Sequence, residues 1–206
     1  MPTLYYGPGS CSLASLIAME EAGLDYEPRR IDLAKGEQRA ADYLKINPKG
    51  RVPALVTERG VVTETPAILA YIGQISRAVR LAPLDDSFAF AGMQAFNSYL
   101  SSTVHVNHAH GRRGSRWSDD AAAIDSMKAK VSETMADSFV LIEDKLLAGP
   151  WVLGADYSVA DGYLFTMTKW LPSDGVDLDR FPKVKAHFER MQGRAAVQKA
   201  LAIDKG

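Results

Sequence analysis

The rhythm of apolar positions divides the chain into two unlike halves. A β-prone run, "TLYY" from Thr3, meets the turn "GPGS"; Leu13, Leu16, Ile17 and Ala22 then recur at helical spacing until Gly23 stops them. "YEPRRIDL" from Tyr26 reads as a second strand, with Pro28 placing it toward a sheet edge. "GEQRAADYLKINPKG" reads as a short helix closed by the Asn47-Pro48 turn. The apolar runs "VPALV" and "GVVTE" around the polar "TERG" predict a hairpin. "TPAILAYIGQIS" predicts a helix with Thr65 as N-cap and Pro66 in its first position. The order βαβαββα describes one compact sheet with flanking helices.

"SRAVRLAPLDDSF", Ser76 to Phe88, has no periodicity, and no strand pattern returns after it. Four stretches there read as helical: "FAGMQAFNSYLSSTVHVNHAH", "DDAAAIDSMKAKVSETMADSFVLIEDKLLAG", "SVADGYLFTMTKWL" and "FPKVKAHFERMQGRAAVQKAL". The expected fold class is therefore α/β followed by all-α. Residues 1–78 form the first domain, 79–87 a linker and 88–206 the helical domain. No internal repeat or low-complexity tract interrupts either part.

Composition narrows the function. Hydrophobic residues make up 47% and charged residues 24%, as in a folded globular protein rather than a disordered chain. Lys and Arg number 24 against 25 Asp and Glu, a net charge of −1 that gives no general pull toward nucleic acid or anionic membrane. No apolar run approaches the ~20 residues that span a bilayer, and "MPTLYYGPGS" lacks the charged and apolar regions of a signal peptide. A cytoplasmic protein is expected. Cys11 is the one cysteine, so there is no internal disulfide, CxxC pair or Cys-based zinc cage.

Several short stretches could carry chemistry. Cys11 follows Ser10 at what reads as the first turn of a helix, where unpaired N–H groups and the helix dipole favour a thiolate; a small buried hydrophobe is the equally weighted alternative. Val52-Pro53 opens a strand, as an edge, first-position or cis proline would. Glu64 and Thr65 begin a helix, which suits a plain cap or a site holding the ammonium and carboxylate of an amino-acid moiety. "STVHVNHAHGRRGSRW" places His105 and His108 on one helical face without a metal signature, and no metal is expected. Arg112, Arg113 and Arg116 read as a solvated or interface patch. Ser158 and Asp161 match a capping box, a structural motif.

Together, "YYGPGSCSLAS", "NPKGRVPAL", "TETPAILAYI", "SVADGYLF" and the change from mixed to all-helical resemble a cytosolic glutathione transferase, most like the bacterial beta class. The resemblance covers essentially the whole chain. It implies a thioredoxin-like first domain, a helical second domain and a homodimer with its active site in the interdomain cleft. Cys11 matches the cysteine beside the glutathione sulfur, and His105 the histidine aimed at the same region. Val52, before the implied cis-proline Pro53, pairs with the tripeptide backbone. Glu64 and Thr65 hold the γ-glutamyl end, Lys35 helps with the glycine carboxylate, and the amides near Ser10 favour the thiolate. His108, Trp117 and Trp170 fall in the second-substrate pocket. The implied reaction presents the glutathione thiolate to a hydrophobic electrophile. Alternatives are thiol-disulfide exchange through Cys11 and a non-catalytic binding module.

Overall fold

The computed structural model describes residues 1–205. Its first part runs β1 (Thr3–Tyr6), α1 (Leu13–Ala22), β2 (Glu27–Arg30), α2 (Ala41–Ile46), β3 (Ala54–Thr57), β4 (Gly60–Thr63) and α3 (Thr65–Ile75). The strands order as β2-β1-β3-β4, with β1 parallel to β2 and antiparallel to β3, and β3 antiparallel to β4. This is the thioredoxin-like arrangement implied above. Pro28 sits on the edge strand, where its missing N–H interrupts no inner ladder. The segment expected as one helix before Asn47 is divided into a 3₁₀ turn, Glu37–Arg39, and α2.

The second part is helical: α4 (Ser87–Tyr99), α5 (His105–Arg113), α6 (Ala121–Leu141), α7 (Val159–Thr168), α8 (Pro182–Gln192) and α9 (Ala195–Lys205). The last predicted stretch splits at Gly193 into α8 and α9. A π-helical turn, Leu100–Val104, joins α4 to α5, and another, Ile142–Leu146, closes α6. Among the described residues no helix is long and apolar enough to cross a membrane.

Helix α1 is the hinge pin of the molecule. Eight of its ten residues are buried, because it contacts α3 and the sheet on one side and α7 and α9 on the other. That double burial leaves it no polar face. Gly162 permits the approach of α7: a Cβ there would lie 3.0 Å from Ile17 Cγ2. At the end of α1, Glu21 receives both nitrogens of the Arg194 fork, and that guanidinium lies 4.0 Å over the Tyr157 ring.

The predicted capping box is present. Ser158 accepts from the Ala160 N–H, while Asp161 accepts from the Ser158 N–H at 2.8 Å. Asp161 also accepts from the Val152 N–H at 2.8 Å and lies 3.0 Å from His187 Nε2. One fully buried carboxylate thus fixes the start of α7, the loop before it and α8.

Candidate active site

A cleft of about 730 Å³ lies between the two parts. Its first wall is made by three connections of the sheet domain: Pro8 to Cys11, Gly50 to Pro53, and Glu64 to Pro66. The second is a stripe on α5 and the turns around it: Ser101, His105, His108, Arg112 and Arg116, with Trp117 at the rim and Tyr163 and Trp170 behind.

The Cys11 loop is tied down from inside. The Ser12 hydroxyl accepts from the Gly7 N–H at 3.0 Å and donates to the Gly7 carbonyl at 3.2 Å, while Ser10 Oγ accepts from the Ser12 N–H. Ser10 therefore lines the cleft, but its hydroxyl serves the loop. Helix α1 begins at Leu13, so Cys11 lies in the turn before the helix rather than in its first turn. Its thiol donates to the Val52 carbonyl across the cleft at 3.6 Å. Burial pushes the Cys11 pKa up, against the Thr65 hydroxyl and the Arg113 charge. Of the two readings that the sequence left open at Cys11, the surroundings favour the buried thiol: desolvation outweighs the donors. The Cys11 N–H meets no protein acceptor among the described residues.

Val52-Pro53 is a cis peptide, and the Val52 N–H is likewise unengaged by protein. Glu64, not Thr65, is the capping residue of α3; its φ of 71° is in the left-handed region, and it makes no side-chain cap bond. Thr65 opens the helix itself. The correction has a physical cause: the chain must reverse between β4 and α3, and Glu64 takes the strained backbone position. Its carboxylate is left free of the helix and is held by the Lys49 ammonium. A primary ammonium already sits where the sequence reading places an amino-acid amine.

Lys35 is not brought to the cleft. It is exposed, and its ammonium pairs with Asp32 at 3.4 Å, because Asp32 organises that turn by accepting from the Ala34 and Lys35 N–H groups. Gln38, Arg39 and Arg51 line the corresponding end instead. The arginines of "GRRGSRW" add something to expectation: Arg112 and Arg116 are solvent-exposed and Arg113 half-buried, and all three line the cleft. The 3₁₀ turn Gly114–Arg116 bends the chain back over the opening.

His105 stands against Trp170, ring centroids 5.1 Å apart. Burial first, then the Arg113 charge, push its pKa down to about 4, so the imidazole is neutral at ordinary pH. His108 stacks on Trp170 at 4.1 Å, and its Nδ1 lies 2.8 Å from both Asp174 oxygens. Trp170 Nε1–H donates to the Gly9 carbonyl at 3.2 Å. The chain Asp174–His108–Trp170–Gly9 therefore links the helical wall to the Cys11 loop. A second link comes from α9: the Gly9 N–H donates to Asp204 at 3.1 Å, and the Tyr6 hydroxyl donates to the Ile203 carbonyl. Trp117 packs edge-on against His110 and remains 47% exposed at the rim of the cleft.

Sequence reasoning missed Tyr163 and Gln38. Both line the cleft, and the buried Tyr163 hydroxyl and Gln38 Oε1 have no partner among the described residues. Tyr163 stands two residues beyond Asp161 in the same motif, and only the capping role was visible there. Among the described residues no group of three or more His, Cys, Asp or Glu could hold a metal.

Comparison with known proteins decides the family. Residues 2–74 match the glutathione S-transferase N-terminal domain, and residues 112–204 the C-terminal domain. A glutathione transferase homolog from Sulfitobacter, solved with bound glutathione, superposes with a TM-score of 0.95 at 47% identity, covering 100% of this chain and 98% of that one. The chain belongs to the glutathione S-transferase family. Among other family members, the bacterial beta-class enzyme of Sphingomonas chungbukensis has a TM-score of 0.85 at 31% identity, over 98% of each chain. Glutathione S-transferase GstA of Escherichia coli O157:H7 is 29% identical over 204 residues, 98% of each chain. The transferase fold thus surrounds a cleft whose unengaged N–H groups, Lys49-paired Glu64 carboxylate and unpaired buried polar atoms suit a peptide-like ligand.

Proposed function

We propose that the protein binds glutathione along the sheet-domain wall and presents its thiolate to an electrophile held by the helical domain. The observation that carries this reading is the convergence of Cys11, Val52 and Glu64 on one cleft. Glu64 takes the γ-glutamyl ammonium, and the start of α3 at Thr65 the adjoining carboxylate. Val52 pairs with the cysteinyl backbone, and Gln38, Arg39 and Arg51 take the glycine end in place of Lys35.

A free thiol has a pKa of about 8.5, so at neutral pH the site must favour the charged form. The Cys11 N–H is the donor that this chain offers, and each pKa unit it supplies corresponds to about 1.4 kcal/mol. The sulfur then forms a bond to an electrophilic carbon, the leaving group departs with the bonding pair, and the thiol proton passes to solvent. His105, neutral against Trp170, shapes the space over the sulfur. Thiol-disulfide exchange by Cys11 is the weaker reading, since burial holds that group as a thiol.

Homodimerisation, a cytoplasmic location and a role in detoxification belong to the same reading. Phe88, 88% exposed at the start of α4, is an apolar side chain that a second copy would cover. Sedimentation analysis of wild type beside Phe88→Ser tests that assembly.

The deciding experiment is calorimetric titration with reduced glutathione. Micromolar to millimolar binding by the wild type, weakened in Glu64→Ala, is the expected result. No binding by a well-folded sample sinks the proposal.

A further inference from the structure

Five arginines line the cleft: Arg39 and Arg51 on one wall, Arg112, Arg113 and Arg116 on the other. Among the described residues none of the five has a carboxylate within 4.0 Å. Among the same described residues, none of these guanidinium groups finds a hydrogen-bond acceptor in the protein. The cleft lining includes a single carboxylate, Glu64, and Lys49 already engages it. In a chain of net charge −1, gathering unpaired cations in one hollow is a local choice that overall composition does not force.

The groups feel one another. Burial first, then Arg113, Arg51 and Arg39, lower the pKa of Arg116. Arg113, Arg116 and Arg51 also act on His105. Four of the five are open to solvent and Arg113 is half-buried, so water and salt screen this repulsion, and an anion entering the cleft relieves it directly.

Glutathione alone does not satisfy them. It carries two carboxylates and one ammonium; Glu64 and the start of α3 take the γ-glutamyl end, and Arg39 with Arg51 suffices for the glycine end. Arg112, Arg113 and Arg116 remain on the opposite wall, beside Trp117. A guanidinium is planar, binds carboxylates and sulfonates with paired N–H groups, and stacks on aromatic faces. Trp117 and the His108–Trp170 stack add flat surfaces nearby.

We propose that the second substrate is a planar aromatic electrophile bearing an anionic group, held through that group by Arg112, Arg113 and Arg116. The inference rests on the glutathione reading above and narrows it. The anionic group is a spectator: the thiolate sulfur forms the new bond to carbon, the leaving group takes the bonding pair, and the carboxylate or sulfonate stays on the arginines. Selectivity for charge then comes from the helical wall, while the tripeptide is held by the other.

The test uses two glutathione conjugates that differ in charge alone, S-(4-carboxybenzyl)glutathione and its benzoate methyl ester, titrated calorimetrically into the full chain. The carboxylate conjugate is expected to bind at least tenfold more tightly at low ionic strength. That preference should shrink as salt screens the cleft. In R112Q/R113Q/R116Q it should disappear, with the ester conjugate binding within about threefold of its wild-type affinity. Equal or weaker binding of the carboxylate conjugate, with both conjugates bound, overturns this inference and leaves the glutathione reading standing. Failure of glutathione and of both conjugates to bind overturns that reading and this inference with it. If the triple variant unfolds, Arg113→Gln and the salt series on wild type decide; a preference that salt does not touch overturns the proposal.

Discussion

The two walls of the cleft are built on different principles. The sheet-domain wall presents backbone: the Cys11 and Val52 N–H groups and the start of α3, each fixed by a turn. The helical wall presents side chains on one stripe, Ser101, His105, His108 and Arg112, whose phase is set by the π-helical turn before α5. One inserted residue rotates everything after it by about 100°. The backbone donors of the first wall survive substitution of their own side chains, and Glu64 is the side chain there on which binding depends most. A side-chain wall changes what it offers with every substitution, and the contrast separates substitution-tolerant binding from substitution-sensitive selectivity in one cleft.

The largest expected effect concerns His105 on the helical wall. Its imidazole titrates near pH 4 in the folded protein but near 6.5 when unfolded, so the unfolded chain takes up the proton first as pH falls. The stability associated with the neutral ring is complete above pH 6.5 and is lost progressively toward pH 4, on the order of 3 kcal/mol in all. Urea unfolding of wild type and His105→Phe across that range measures it. A His105 NMR titration midpoint near 6.5 would contradict it.

Next comes the sheet-domain wall. Glu64→Ala should weaken glutathione binding by about 10- to 100-fold, the worth of a charge-assisted hydrogen bond. Glu64→Gly should lose the same affinity yet raise stability by about 1 kcal/mol, because the φ of 71° strains any residue with a side chain. Paired calorimetry and thermal melts separate these effects. If Glu64→Gly is less stable than wild type, the strain assignment fails.

Asp174→Asn should cost about 1–2 kcal/mol by loosening the His108–Trp170 stack, while glutathione affinity changes less than about twofold. A larger loss of glutathione affinity would mean that the walls do not act separately. The smallest effect is Tyr163→Phe. The hydroxyl has no partner among the described residues, so its removal should leave stability unchanged or raise it by up to about 1 kcal/mol. A clear loss of stability in melts would show that the phenol is already engaged.

Much of the sheet-domain wall was legible in the sequence, because turns announce themselves locally. The Pro-Gly turn before Cys11, the Val-Pro step at β3 and the Glu-Thr-Pro start of α3 are short motifs whose neighbours in sequence are also their neighbours in space. Even there the details escaped. Whether Glu64 or Thr65 caps α3 depends on how β4 delivers the chain, and whether Lys35 reaches the cleft depends on the Asp32 turn. The helical wall was largely hidden. "HGRRGSRW" reads the same whether its arginines meet solvent or ligand, and Tyr163 was masked by a cap motif that explained its neighbours.

The sequence by itself determined the order βαβαββα, the passage to helices near residue 88, the Ser158–Asp161 cap and the identity of the backbone-rich wall. Each follows from spacing and turn chemistry within a few residues. Only the tertiary structure decided that α1 is buried on two sides, that Asp204 and Trp170 fasten the Cys11 loop, that Cys11 is held as a thiol, and that three arginines face the cleft. Those outcomes depend on desolvation and on charges brought together from distant parts of the chain, quantities that local pattern does not contain.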